Sequence, residues 1–284
     1  MLRCEPSAKL RNNKIALTRR QRIDVTEAQP TGVIDFNCDM GESFGAYEME
    51  LDKEIIKYVS SINVATGFHA GDPNWMRASV ELAARHGVAV GAHPAYPDLA
   101  GFGRRAMSLK PSEVNNAVAY QVGALSAFTG QGGLQHVKPH GAMYNRAVVD
   151  AEEAGAIIDA IHAFDPALIH VVLAGSKWEE LALGAEVRVA REAYSDRAIT
   201  PEGTLVPRSE PGAVIHDPDE VVARVVKIAT QGIVIAVNGD EIPFGADTIC
   251  LHGDNPGAVE IAIKVREALS AEGVEVKPMS EIVA

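Results

Sequence analysis

At 284 residues the chain is long for one small domain and ordinary for a single α/β barrel, which takes about 250 residues. Its 47% hydrophobic and 23% charged residues suit a globular protein with a substantial core. A net charge of −12 argues against nucleic acid or anionic lipid as the main partner, because both demand clustered cations. An anionic small molecule held at a local basic site remains allowed.

The first residues are set apart from the rest. Seven Lys/Arg against three Asp/Glu occupy the first thirty positions, without periodicity and without the apolar stretch of a signal peptide. Residues 1–31 read as a basic, flexible extension, with a transit-like segment or a partner-binding arm as alternatives; residues 32–284 read as one domain.

From Val33 a single arrangement recurs: a short apolar run, a Gly/Pro/His cluster, then an amphipathic stretch. VIDFNCD precedes a helix over 49–60, INVATGFH one over 74–86, and VAVGAHP one over 111–130. QHVKPH precedes 151–163, IHVVLAG precedes 176–183, and VRVAREAYS leads through a long loop to 217–230. DTICLHGD precedes 256–271. Seven βα units predict parallel strands. Asp72-Pro73, Pro111-Ser112 and Asp217-Pro218 mark helix starts. IVIAVNGDEIPFG, centred on Asn238-Gly239, predicts a hairpin inserted before the last strand.

Four of the nine histidines, His69, His93, His140 and His252, end apolar runs, and Asp39 ends the first run in the same way. A closed (β/α) barrel brings such strand ends to one mouth, whereas an open sheet would spread them along an edge. Strand alternation agrees. Asp35, Asn37 and Asp39 share one face, as do Gly91 with His93, Lys138 with His140, and Cys250 with His252, while Val64, Val90 and Val137 lie on the opposite faces. The expected fold is a TIM-barrel-like barrel of seven parallel strands with a polar lumen.

Candidate chemistry falls on these ends. Asp39, Glu42 and His69 suit water or metal handling, and His93, His140 and His252 proton transfer and orientation. Lys138, Arg104 and Arg208 suit a substrate carboxylate or phosphate. Asn37, Tyr96 and Asp254 complete the candidate binding set, and Asp39, His69 and His93 the candidate metal ligands. Glu192, Asp196 and Arg197 enrich the long loop that also carries Arg208. No GxxxxGK[ST], GxGxxG or GxSxG occurs, so neither a P-loop nor an α/β-hydrolase elbow is expected. HVKPHGAMYN looks like a metal-binding His pair, but Pro139 disfavours a helix. On a strand, His136 and His140 would stand about 13 Å apart, too far for one ion. Lys138 and His140 are the expected site pair and His136 a structural residue.

Cys4, Cys38 and Cys250 form no CxxC, so no disulfide framework is expected and a reducing, cytoplasmic setting fits. No run reaches the ~18 apolar residues of a membrane span.

IDFNCDMGESFG, INVATGFHAGDP, GAHPAYPDLAGFGRR, HVKPHGAMYN, EAYSDRAITPEGTLVPR and ICLHGDNPGA together resemble the LamB/YcsF family of 5-oxoprolinase A subunits. The resemblance implies a seven-stranded barrel related to glycoside hydrolases and deacetylases. It also implies cleavage of 5-oxo-L-proline to L-glutamate with hydrolysis of ATP, supplied with Mg2+, in a complex with subunits B and C. Thr66 stands where the family usually carries cysteine, and Ile199 where an aromatic is more usual. Two other readings stay open on the residues alone: a stand-alone metal-dependent hydrolase or deacetylase, and a ligand-binding scaffold that leaves catalysis to its partners.

Overall fold

A computed structural model of the chain describes residues 32–49, 51–130, 133–253 and 257–284. The basic segment 1–31 and the candidate Asp254 lie outside the described residues. The first six barrel strands are β1 (Val33–Met40), β2 (Ser61–Ala65), β3 (Ala89–His93), β4 (Leu134–Val137), β5 (Ile169–Leu173) and β6 (Val189–Tyr194). The antiparallel pair β7 (Ile233–Ile235) and β8 (Glu241–Pro243) follows as the expected hairpin. Then β9 (Thr248–Leu251) pairs in parallel with β6 on one side and β1 on the other. The order β1-β2-β3-β4-β5-β6-β9 therefore closes into a seven-stranded parallel barrel, an α/β fold.

Alternation in β1 shows why the sequence builds this wall. Ile34, Phe36, Cys38 and Met40 join the main apolar core, while the intervening Asp35, Asn37 and Asp39 bond to one another's neighbours inside the barrel. Each large apolar side chain so buried contributes about 1.5–3 kcal/mol. The lumen is polar instead, and its groups are stable there because they are paired. Asp35 accepts from Ser60 Oγ (2.7 Å), Ser61 Oγ (2.6 Å) and Thr248 Oγ1 (2.5 Å). Burial nevertheless pushes its carboxyl up to about 6.

Around the barrel lie α1 (Asp52–Ile55), α2 (Pro73–His86), α3 (Pro111–Thr129), α4 (Gly141–Val149), α5 (Ala151–Phe164), α6 (Lys177–Gly184), α7 (Pro218–Gln231) and α8 (Ala258–Ala271). Asp72 and Asp217 cap α2 and α7 as their Asp-Pro pairs predict, each accepting two backbone N–H bonds from the first turn. Gly87 ends α2 with φ +67, a left-handed geometry that an L side chain rarely adopts.

Three differences from the expected elements have physical causes. The helix expected over 49–60 shortens to α1, because Ile56 and Val59 turn inward as buried residues on the way to β2. The stretch expected as a turn after His140 is the helix α4, whose Met143, Tyr144, Ala147 and Val148 are buried. β10 (Glu275–Val276) pairs with the start of β1, and Met279 just beyond it packs with Ile169, Val171 and Ala190.

No helix among the described residues is long and apolar enough to cross a membrane.

Candidate active site

The site rises in layers from the lumen. At its floor Asn63 Nδ2 donates to Asn37 Oδ1 (2.7 Å) and Asp39 Oδ1 (2.9 Å), while His136 Nε2 donates to Asn63 Oδ1 (2.7 Å). His136 needs Gly91 beside it, since a Cβ there would stand 2.1 Å from Nε2. Burial, with the Lys138 and His93 charges nearby, pushes the His136 ring down to about 3, so it stays neutral. Asn37 is saturated by Asn63, Thr248 and Glu192 and positions its neighbours without lining the cavity.

Lys138 forms the next layer. Its Nζ meets Asp39 Oδ1 at 3.1 Å, Glu192 Oε1 at 2.9 Å and Cys250 Sγ at 2.9 Å, and it faces the Tyr194 ring at 5.2 Å. Burial opposes the charge on Lys138, but the Asp39 and Glu192 carboxylates outweigh it and hold the ammonium well above its usual range. For Asp39 burial likewise works against ionisation, and the His93 and Lys138 charges overcome it, holding the carboxyl well below its usual range. Burial raises the Cys250 thiol, keeping it protonated.

On one side of this layer sit His93 and His140, with Nε2 and Nδ1 only 3.0 Å apart. His69 stacks on His140, centroids 3.9 Å apart and planes 6° apart, and its Nε2 lies 3.2 Å from Glu42 Oε1. The GAHPAYPDLAGFGRR loop closes over them. Gly103 can lie against the rings only because it lacks a Cβ, which would come within 2.8 Å of both His69 and His140. Phe102 accepts from His140 Nε2 through its carbonyl (2.9 Å), and the Arg104 guanidinium covers the Phe102 ring at 4.9 Å. Burial pushes both His69 and His140 well below the usual imidazole range, and the neighbouring histidine charges push the same way.

On the other side His252 Nδ1 bonds Asp196 Oδ1 at 2.8 Å and its ring stacks on Tyr194 at 5.3 Å. The carboxylate can only accept, so Nδ1 carries the proton of that bond. Arg104, Arg197 and Arg208 form the rim of a cavity of about 340 Å³, which also reaches Asp39, His93, Lys138, His140 and His252. Burial and the adjacent Arg208 lower Arg197 to about 10, which leaves it cationic at neutral pH. An acidic chain thus carries a concentrated basic rim around an acid–histidine floor.

Of the residues expected from sequence, Asp39, His93, Lys138, His140, His252, Arg104 and Arg208 meet at this cavity. Glu42 and His69 stand immediately behind His140. Tyr96 does not join them: it is buried, and its hydroxyl donates to Glu153 Oε1 (2.6 Å) on α5. Among possible ligand atoms, Glu42, His69, His93 and His140 form one cluster within 4.8 Å, and Asp39 groups instead with Cys250 and His252. The expected Asp39–His69–His93 set is therefore split between two clusters. The sequence placed Glu192, Asp196 and Arg197 only in the loop that carries Arg208 and Cys250 only on the face of His252, and it did not single out Tyr194. For Glu192 the signal was present, since it stands two residues before the end of the strand, in phase with Ala190 and Tyr194 and opposite in phase to Arg191.

A family model described as "LamB/YcsF family" matches residues 34–284. This chain belongs to the LamB/YcsF family. It is 55% identical over 252 residues to the 5-oxoprolinase A-chain subunit of Thermococcus onnurineus, covering 88% of this chain and 99% of that one. It is 54% identical over 247 residues to that of Syntrophobacter fumaroxidans, covering 86% and 98%. The crystal structure of the lactam utilization protein from Thermus thermophilus superposes with a TM-score of 0.81 at 51% identity, covering 86% of this chain and 99% of that one. In this LamB/YcsF chain, Thr66 Oγ1 bonds Gln121 Oε1 (2.9 Å) and the His93 carbonyl (3.2 Å). That contact supports the strand end from which His93 projects. Ile199 is buried, and its backbone joins the rim loop to the hairpin through Val237.

Proposed function

We infer that this chain is the A subunit of a 5-oxoprolinase and carries the lactam-opening site. The carrying observation is the cavity itself, where three arginines ring a floor of Asp39, Lys138 and the Asp196–His252 pair. A small cyclic amide with a carboxylate matches that polarity. The rim arginines suit the carboxylate, which planar guanidinium groups bind bidentately. Lys138, held cationic in the floor, suits an amide oxygen on which negative charge develops.

An unactivated five-membered lactam resists hydrolysis, so ATP, supplied with Mg2+ as co-substrate, would activate it by phosphorylating the amide oxygen. Water then adds at the ring carbonyl carbon, the C–N bond breaks and the nitrogen takes a proton; a second water releases phosphate. Asp39 is ionised and placed to take the proton of the attacking water. His252, with Nδ1 fixed by Asp196, presents Nε2 for the proton transfers that follow. The sequence carries no phosphate-binding loop of its own, which supports joint action with subunits B and C. Two buried free thiols, Cys38 and Cys250, suit the reducing cytoplasm to which we assign the complex.

The test is ATP-dependent glutamate formation from 5-oxo-L-proline by the chain reconstituted with candidate B and C subunits. Asp39→Asn and Lys138→Ala should each abolish it. Near-normal turnover in both variants would overturn the assignment.

A further inference from the structure

His93 and His140 face each other in a way two neutral imidazoles do not tolerate alone. His93 Nδ1 lies 2.6 Å from the Lys138 carbonyl and His140 Nε2 lies 2.9 Å from the Phe102 carbonyl. A carbonyl oxygen only accepts, so each of those nitrogens bears the ring's proton. In the neutral form of each ring the nitrogens that remain, His93 Nε2 and His140 Nδ1, carry lone pairs that point at each other across 3.0 Å, whereas a proton on His93 Nε2 makes it the cation beside Asp39. Carboxylate oxygens flank them: Glu42 Oε1 is 3.6 Å from His140 Nδ1, and Asp39 Oδ2 is 3.4 Å from His93 Nε2. Three electron donors from the ends of two strands and a glycine-rich turn thus converge on one point, with Asp39 beside His93.

We propose that His93 Nε2, His140 Nδ1 and Glu42 bind a divalent transition-metal ion at the edge of the cavity. Metal–ligand bonds of about 2.0–2.1 Å at tetrahedral angles set ligand atoms about 3.4 Å apart; His140 Nδ1 stands 3.0 Å from His93 Nε2 and 3.6 Å from Glu42 Oε1, and all three atoms lie within 4.8 Å of one another. Ring nitrogens tied through their second N–H to backbone carbonyls are the usual outer support of metal-bound histidine. The His93 and His140 rings stand at 88°, so one ion can lie close to both ring planes. His69 cannot share that ion with His140, because their rings are stacked 6° from parallel. It is instead a positioning residue, with Nε2–H directed at Glu42 Oε1 (3.2 Å), while its buried Nδ1 meets no hydrogen-bond partner among the described residues. Two imidazoles and a carboxylate select zinc, cobalt or nickel over calcium and magnesium. Asp39 occupies the neighbouring position, and the cavity gives access for water. Any catalytic role of the ion rests on the lactam-opening reading above, but its binding does not.

A single proton shared by the two rings is the competing occupant. It would satisfy two donors and leave Glu42 to His69.

The full chain, stripped with chelator and titrated with Zn2+ or Co2+, should retain about one equivalent after dialysis. Its cobalt form should show visible bands of nitrogen–oxygen ligation. Glu42→Gln and His93→Gln should lose the ion, Cys250→Ser should keep it, and His69→Ala should bind about 10–100-fold more weakly, as loss of an outer-shell partner does. An absence of binding by the wild-type chain would overturn the proposal. So would a thiolate-to-cobalt charge-transfer band, which would place the ion with Asp39, Cys250 and His252. Both readouts use the unmodified protein, so a variant that fails to fold does not decide the matter. Metal binding without glutamate formation by the complex would sink the lactam-opening reading alone, and glutamate formation by a wild-type chain that retains no ion after titration would sink this one alone.

Discussion

Replacing Lys138 with methionine keeps the length of the stem and removes only the charge. Its side chain is 2% exposed, and Nζ is the cation against both Asp39 (3.1 Å) and Glu192 (2.9 Å). In Lys138→Met two carboxylates face each other inside the barrel. Removing one partner of a buried ion pair costs about 3–5 kcal/mol. At roughly 2–4 °C per kcal/mol for a domain near this size, the melting temperature should fall by about 6–20 °C. The pH dependence gives a sharper check. In the wild type Asp39 is held well below its unfolded value, so its stabilisation is present above the unfolded pKa and is lost as pH falls through the folded pKa. In the variant the same carboxylate, without the lysine, would favour a proton in the folded state, and its deficit should shrink as pH falls from 8 to 5. Urea unfolding of both proteins across that range measures the difference. A variant within about 1 kcal/mol of wild type at pH 8, or a deficit that does not shrink, would refute the claim that Lys138 is the cation on which the floor depends.

Two further substitutions probe the rest of the site. Gly91→Ala would place a methyl 2.1 Å from His136 Nε2 and should destabilise by about 1–3 kcal/mol or more; thermal melts of Gly91→Ala with and without His136→Ala should show partial recovery in the double variant. Asp196→Asn would release the His252 tautomer, and steady-state kinetics of the reconstituted complex should show kcat falling about 10²–10⁴-fold with little change in KM. An unchanged kcat would remove His252 from proton transfer.

Much of the barrel was legible because its two periodicities are simple. The apolar–polar alternation of VIDFNCDM assigned Asp35, Asn37 and Asp39 to the lumen, and Asp-Pro pairs marked the starts of α2 and α7. The convergence of His93, Lys138, His140 and His252 followed from closure, since every parallel strand delivers its end to the same mouth. What could not be read was contact between distant segments. Tyr96 looks like a ligand-facing aromatic in a glycine-rich loop, yet it turns toward α5, where Glu153 accepts its hydroxyl. The candidate ligands Asp39, His69 and His93 regroup in three dimensions: parity puts all three near the mouth, but His69 and His93 fall with Glu42 and His140 while Asp39 falls with Cys250 and His252, a division that no strand alternation reveals. Arg197 could be assigned to the loop but not to the cavity, because a loop has no period from which a direction can be inferred. His136 shows the opposite case, a residue whose structural part, bonding Asn63 beneath Asp39, was correctly separated from the HxxxH spacing that surrounds it.

The most direct measurement is a crystal structure of the chain with 5-oxo-L-proline bound. The account predicts the lactam in the 340 Å³ cavity, its carboxylate on two or more of Arg104, Arg197 and Arg208 and its amide oxygen toward Lys138. Ligand density anywhere else on the chain, or in this cavity with the carboxylate turned toward Asp39, would contradict it.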